Sequence, residues 1–165
     1  MILAGCALRP VSTPPQNTAP EGAAITPQVT APRPLDHAAI MVGSATAMLG
    51  QPYRYGGAAP GGFDCSGLVE YAAKSAGIHV PRTAREQLHS GTLVERADLK
   101  AGDLVFMRLA RKELHVGIVI DGERFIHAPA SGGRVRIDSL AARPYATGFI
   151  SARRVAGVPG ASSDP

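Results

Sequence analysis

Apolar positions along this chain change their period twice. From Ala7 to Pro34 they have none: Pro10, Pro14, Pro15, Pro20, Pro27, Pro32 and Pro34 punctuate a run rich in Thr, Ala and Gln. Such a segment buries too little apolar surface to offset chain entropy, so residues 7–34 are expected to be a disordered tether. A helical period follows. Asp36 can cap a helix over His37 to Leu49, with Ile40 or Met41, Ala45, Met48 and Leu49 inward and Gly50 at its end. Leu68, Val69, Ala72, Ala73 and Ala76 define one face of a second helix from Cys65 to Ala76, closed by Gly77. Thr83 and Glu86 have capping-box spacing, which predicts a short third helix to about Ser90. Between the first two helices, Gln51 to Gly57 reads as a rigid turn and the Gly/Pro-rich stretch to Gly62 as a loop.

Beyond the third helix the period drops to two. Asp103 to Met107 reads as a strand and His115 to Ile120 as a second. An Asp121-Gly122 hairpin turn leads to a third over Arg124 to Ala128. Arg134 to Asp138 and Phe149 to Val155 alternate strictly and give two more. Helices first and strands after predict an α+β domain over residues 35–156. Its antiparallel sheet of about five strands is curled or packed against the helices. The small, polar residues 157–165 are expected to be a flexible tail.

The 165 residues suffice for one compact domain plus a tail, and a hydrophobic content of 45% can supply its core. The net charge of +4 comes from scattered basic residues, not from a basic run interleaved with aromatics, which argues against nucleic acid as a partner. Two cysteines, Cys6 and Cys65, make neither a disulfide scaffold nor a zinc-type spacing, so each needs its own explanation. Residues 1–6 end in Leu3-Ala4-Gly5-Cys6, which resembles the lipobox of bacterial lipoproteins, where the signal is cut before the cysteine and its sulfur receives a diacylglycerol. The residues before Cys6 are fewer than the roughly 7–15 of a complete apolar region, so the stretch reads as the remnant of a signal with Cys6 as lipidation site. An incidental cysteine near a start Met is the alternative.

Cys65 stands where the Gly-rich loop meets the second helix, in Gly62-Phe63-Asp64-Cys65-Ser66-Gly67. A thiol at a helix N-terminus meets the positive end of the dipole and unpaired N–H groups, which favour thiolate and can also hold an oxyanion. His115 opens one strand and His127 lies in the next strand of the same hairpin, so the two are within side-chain reach and one ring can select the other's tautomer. A cysteine hydrolase needs such a set: nucleophile, base and orienting group. Taken singly, Cys65 could be a small buried hydrophobe and either histidine a surface residue. The polar flanks Asp64 and Ser66 favour a site. His37, His79 and His89 lie in no motif and read as surface. A zinc site at Cys65, His115 and His127 would lack a fourth ligand, so no metal is assigned.

Six motifs then follow one another in a recognisable order. They are Pro52-Tyr53-Arg54-Tyr55-Gly56-Gly57, Phe63-Asp64-Cys65-Ser66-Gly67-Leu68-Val69, Pro81-Arg82-Thr83, Leu99-Lys100-Ala101-Gly102-Asp103-Leu104-Val105, His115-Val116-Gly117-Ile118 and Phe125-Ile126-His127-Ala128. From about Leu35 to Val155 the chain resembles the NlpC/p-sixty family of bacterial cell-wall cysteine peptidases. The resemblance implies a papain-like core with the nucleophile at a helix start. It implies Cys65 as nucleophile, His115 as base and His127 as the residue that orients it. It also implies that the Tyr53 hydroxyl helps the Cys65 N–H hold the oxyanion, and that Asp64 and Ser66 contact the substrate's free amino group. The duller readings are a packing aromatic for Tyr53 and a helix-terminal carboxylate for Asp64.

That family cleaves peptidoglycan stem peptides, most often between D-γ-glutamate and meso-diaminopimelate, whereas some lipoprotein members cut the D-alanyl–diaminopimelate crosslink. Neither needs a cofactor. The expectation is therefore a Cys-His-His peptidoglycan endopeptidase, monomeric, in the cell envelope, lipid-anchored to the outer membrane and facing the periplasm. The outer-membrane address rests on Ala7, not Asp, after Cys6. The alternatives are a catalytically silent module of the same fold that binds peptidoglycan or a partner, acyl transfer in a related circularly varied fold that uses the same Cys–His chemistry on lipids, and a toxin delivered into rival cells. The intact Cys65, His115 and His127 set speaks against a pure binder.

Overall fold

The computed structural model describes residues 36–109, 113–130 and 133–155. The signal remnant with Cys6, the tether over 7–34 and the tail over 157–165 lie outside the described residues. Helix α1 (His37–Thr46) starts as expected: the Asp36 carboxylate accepts from the Ala39 N–H at 3.1 Å, and Met41 and Ala45 are buried. It stops short of Leu49. The Gly50 N–H, at φ +81°, donates to the Val135 carbonyl at 2.9 Å, so the chain turns away a residue after Leu49, which stays 42% exposed.

The expected loop before the second helix holds a two-stranded hairpin, β1 (Ala58–Ala59) with β2 (Gly62–Phe63). Strands this short carry no alternation for a sequence pattern to reveal. Helix α2 (Cys65–Ser75) begins at the predicted residue, with Asp64 as N-cap, and buries Leu68, Val69, Ala72 and Ala73. Each Leu or Val so buried contributes about 1.5–3 kcal/mol. Gly67 in its first turn lies against the Gly57 carbonyl, where any Cβ would overlap that oxygen, so glycine is what lets the helix start approach the loop. Helix α3 (Ala84–Gln87) has the predicted Thr83–Glu86 capping box but is a single turn.

Six strands form one antiparallel sheet: β3 (Thr92–Val94), β4 (Leu104–Arg108), β5 (Leu114–Val119), β6 (Arg124–His127), β7 (Arg136–Ser139) and β8 (Phe149–Arg154). Their spatial order is β3-β8-β4-β5-β6-β7. Five match the expected strands. The sixth, β3, escapes a periodicity reading because it is three residues long and exposes both Thr92 and Leu93. A one-turn helix α4 (Tyr145–Gly148) precedes β8. The α+β class with helices before an antiparallel sheet stands.

Alternation along β4 divides the core. Leu104 and Phe106 join Val116, Ile118 and Ile126 on the face packed by α1 and α2, while Val105 and Met107 join Val119, Phe125, Leu140 and Tyr145 on the other. Both faces are covered, which explains the unbroken apolar run Leu104-Val105-Phe106-Met107. Buried Asp103 accepts from Arg154 Nε and Nη2, each at 2.7 Å, and ties β8 to the turn before β4. His79 and His89 are exposed, as expected. His37 is not a plain surface residue: its Nδ1 lies 2.6 Å from the Ala76 carbonyl, so the half-buried ring joins the start of α1 to the end of α2.

Candidate active site

Strands β5 and β6 pair Ile118 with Ile126 and Val119 with Phe125. Continuing that register puts His127 opposite Gly117 and His115 two residues further along the same face, the diagonal arrangement in which rings can touch. They do: His115 Nε2 lies 2.7 Å from His127 Nδ1, with the rings at 84°. Gly117 makes room, because a Cβ there would strike the Phe125 ring, whose centroid is 4.6 Å from that of His127.

Cys65 arrives from the start of α2, half-buried, with the Val116 backbone N–H directed at its sulfur. Cys65 and His115 line one cavity of about 1150 Å³ together with Tyr53, Asp64, Ser66 and Arg82. His127 is fully buried behind His115 and does not line it. Tyr53 is strapped in place by its neighbours' backbone: its N–H donates to the Gly133 carbonyl at 2.6 Å, and the Arg54 N–H to the Phe63 carbonyl at 3.0 Å.

Asp64 and Ser66, expected to meet a substrate amine, are already bound to Arg82. Arg82 Nη1 donates to Asp64 Oδ1 at 3.1 Å and to Ser66 Oγ at 3.0 Å, and Nη2 donates to Asp64 Oδ2 at 2.7 Å. The N–H groups of Gly67 and Gly56 and the Ser66 hydroxyl complete the donors on that carboxylate. Arg82 stands in the Pro81-Arg82-Thr83 motif, but its place in the sequence carries no signal of this role. Nor does the sequence signal what stands behind His127. Asp138 Oδ2 lies 2.9 Å from His127 Nε2 and accepts from Arg136 Nε at 2.9 Å and from the Tyr145 hydroxyl at 2.6 Å. Alternation places Arg136 and Asp138 on one face of β7, but nothing in it says that this face meets His127.

Residues 50–154 match the NlpC/P60 family. The chain belongs to that family. It is 43% identical over 113 residues to the murein DD-endopeptidase MepH of Escherichia coli, covering 65% of this chain and 42% of that protein. It is 36% identical over 109 residues to the gamma-D-glutamyl-L-lysine dipeptidyl-peptidase of Bacillus subtilis, covering 64% of this chain and 37% of that protein. The crystal structure of an NlpC/P60 family protein from Bacillus cereus matches with a TM-score of 0.67 at 32% identity, covering 71% of this chain and 39% of that one. The match thus spans less than half the length of these proteins.

The charge state of this NlpC/P60 site departs from the sequence expectation in one respect. Burial pushes the Cys65 thiol above its ordinary value, and the Asp64 charge adds to that, against the N–H groups of Val116, Ser66 and Cys65 itself. The helix-start donors are present, but desolvation outweighs them, so the thiol rather than the thiolate is favoured. Burial also pushes His115 down to about 3, with His127 and Arg136 adding and Asp138 opposing. His127 is pushed down to about 4 by burial, with the Asp138 hydrogen bond opposing. Across the cavity they share, Cys65 thus rests as a neutral thiol and His115 as a neutral imidazole. Burial and the nearby Cys65 and Asp64 raise the Tyr53 hydroxyl, which stays a proton donor. Of the three residues weighed as zinc ligands, His127 has both nitrogens engaged within the protein and is not available to a metal.

Proposed function

We propose that this chain is a peptidoglycan endopeptidase that cuts amide bonds of cell-wall stem peptides by thiol catalysis. The observation that supports this most is the His115–His127 contact at 2.7 Å behind a cavity that Cys65 and His115 share. In this reading the Cys65 thiol gives its proton to Nδ1 of His115 while the sulfur bonds the amide carbon. The Cys65 N–H and the Tyr53 hydroxyl receive the oxyanion. The His115 imidazolium then protonates the leaving nitrogen, the C–N bond breaks and a thioester remains. Water, losing its proton to His115, hydrolyses the thioester to a carboxylic acid and the thiol is restored.

The bond assigned first is D-γ-glutamyl–meso-diaminopimelate; the name of the Bacillus subtilis relative, which gives L-lysine in place of the diaminopimelate, agrees with it on the γ-D-glutamyl side. A second reading, the D-alanyl–diaminopimelate crosslink, has an observation of its own. Asp64 already carries the Arg82 guanidinium, so a substrate ammonium would have to share that carboxylate, whereas crosslink cleavage needs no free amine there. The Escherichia coli relative is named a murein DD-endopeptidase. Incubation with purified muropeptides and mass analysis of the products separates the readings. Fragments ending at D-γ-glutamate support the first, conversion of dimers to monomers supports the second, and no product in either assay favours a silent binding module.

We also propose that Cys6 carries a diacylglycerol and that residues 7–34 tether the domain over 35–156 to the outer membrane. Support comes from the Leu3-Ala4-Gly5-Cys6 pattern and the Pro-rich run after it. No helix among the described residues is long and apolar enough to cross a membrane. Mass spectrometry of the membrane fraction tests the anchor; an unmodified Cys6 in a protein recovered without membrane would refute it.

A further inference from the structure

His127 is held from both sides, and the partner on its far side can act in only one sense. Asp138 Oδ2 faces the His127 ring from β7, the Arg136 guanidinium faces it from the same strand, and the Tyr145 hydroxyl faces it from α4. Arg136 Nη2 also reaches the Tyr145 oxygen at 3.2 Å, so the three side chains brace one another. The hydrogen bonds from Tyr145, His127 and Arg136 outweigh the cost of burial and hold the Asp138 carboxyl below the usual range, so it is ionised and only accepts. His127 must then carry its proton on Nε2, which leaves Nδ1 as an acceptor. Among the described residues the donor that reaches that Nδ1 is His115 Nε2, so His115 must carry its proton there. The lone pair of His115 is left on Nδ1.

We propose that Asp138 is a positioning residue that fixes the tautomers of both His127 and His115, so that the ring beside Cys65 always presents a basic Nδ1. This rests on the reading of His115 as the base. It adds, behind the proposed catalytic residues, a positioning residue that touches neither substrate nor thiol. A neutral His127 with a free tautomer could equally place its proton on Nδ1, which would turn the His115 ring or leave two donors facing each other. The carboxylate removes that alternative, and its negative charge favours the imidazolium that His115 becomes in the intermediate.

Long-range proton–nitrogen correlation spectra of the histidine rings, taken on the full chain, read the tautomers without any turnover. In the native protein His115 and His127 should both be protonated on Nε2; a His127 ring protonated on Nδ1 overturns the proposal. In Asp138→Asn the His127 ring should become a mixture of tautomers, and kcat on the muropeptide substrate should fall about tenfold to a thousandfold with KM little changed. Asp138→Glu should restore part of that loss. An Asp138→Asn protein with native kcat and native tautomers overturns the proposal. Should that variant not fold, the native spectrum alone decides. Retained turnover in Cys65→Ala would refute the thiol reading instead, and the tautomer spectrum would still judge Asp138.

Discussion

Arg82 grips Asp64 as a fork, with Nη1 3.1 Å from one carboxylate oxygen and Nη2 2.7 Å from the other, directly beneath the start of the helix that carries Cys65. The pair joins the segment before α3 to the N-cap of α2, so a residue without assigned chemistry fixes where the thiol stands.

Arg82→Met should therefore cost stability. It keeps an apolar stem but removes the fork, while Gly67, Gly56 and Ser66 still donate to Asp64. The loss should be about 1–2 kcal/mol, at the lower end for such a pair because Arg82 is a third exposed and water screens it. Burial opposes the Asp64 charge but the Arg82 hydrogen bonds outweigh it, so its folded value lies below 3.8. The stabilisation is then present above that value and lost as pH falls through the lower folded one. Urea unfolding of both proteins should differ near pH 7, and the gap should narrow as pH falls below 3.8. Equal stability near pH 7 would mean that the backbone donors suffice.

Two glycines predict opposite outcomes. Gly67→Ala sets a Cβ against the Gly57 carbonyl, and backbone cannot swing aside as a side chain can. It should destabilise by about 1–3 kcal/mol and depress turnover, since α2 must shift and Cys65 with it. Gly43→Ala in α1 meets nothing within 4 Å and should raise stability by about 0.4–1 kcal/mol with activity unchanged. Thermal melts and turnover of both variants check this; a neutral Gly67→Ala would show the contact to be slack.

The two histidines should not be equivalent. His115→Ala removes the proposed base and should cost about a thousandfold or more in kcat, whereas His127→Gln keeps a group that can accept from His115 and should cost about tenfold to a hundredfold. Equal and complete loss in both would reverse the roles assigned to them.

Much of this was legible in the sequence, for identifiable reasons. Cys65 could be placed because its helix has a clean apolar face and an Asp cap. His115 and His127 could be paired because a hairpin fixes their register. Asp138 could not be found, because strand alternation gives a face of β7 but not that β7 pairs with β6, the strand that carries His127. Arg82 was hidden for a similar reason: it contacts Asp64 across a sequence gap that no period spans. The charge state of Cys65 was misjudged because helix-start donors are visible in a sequence, and the desolvation that outweighs them is not.

The pH dependence follows from that desolvation. kcat/KM reports the free enzyme, in which the reactive form under the proposed mechanism is neutral thiol and neutral imidazole. With burial holding His115 near 3, the acid limb should lie well below the ordinary 6.5. With burial raising the thiol, the alkaline limb should lie above the ordinary 9.0. A profile on a soluble muropeptide should therefore be flat through neutral pH. An acid limb near 6.5 would mean that burial does not set the basicity of His115 in solution. Stability has its own sign from the same residues. Below 6.5 the unfolded histidines take up protons that the folded rings refuse until about 4 and about 3, so the melting temperature should fall as pH drops through that window. His127→Gln removes one of those proton uptakes and should flatten the fall. An unchanged slope between pH 6.5 and about 4 would mean that burial does not keep the folded His127 ring from taking up its proton, since Asp64 and Asp138, both held below 3.8, act only beneath that range.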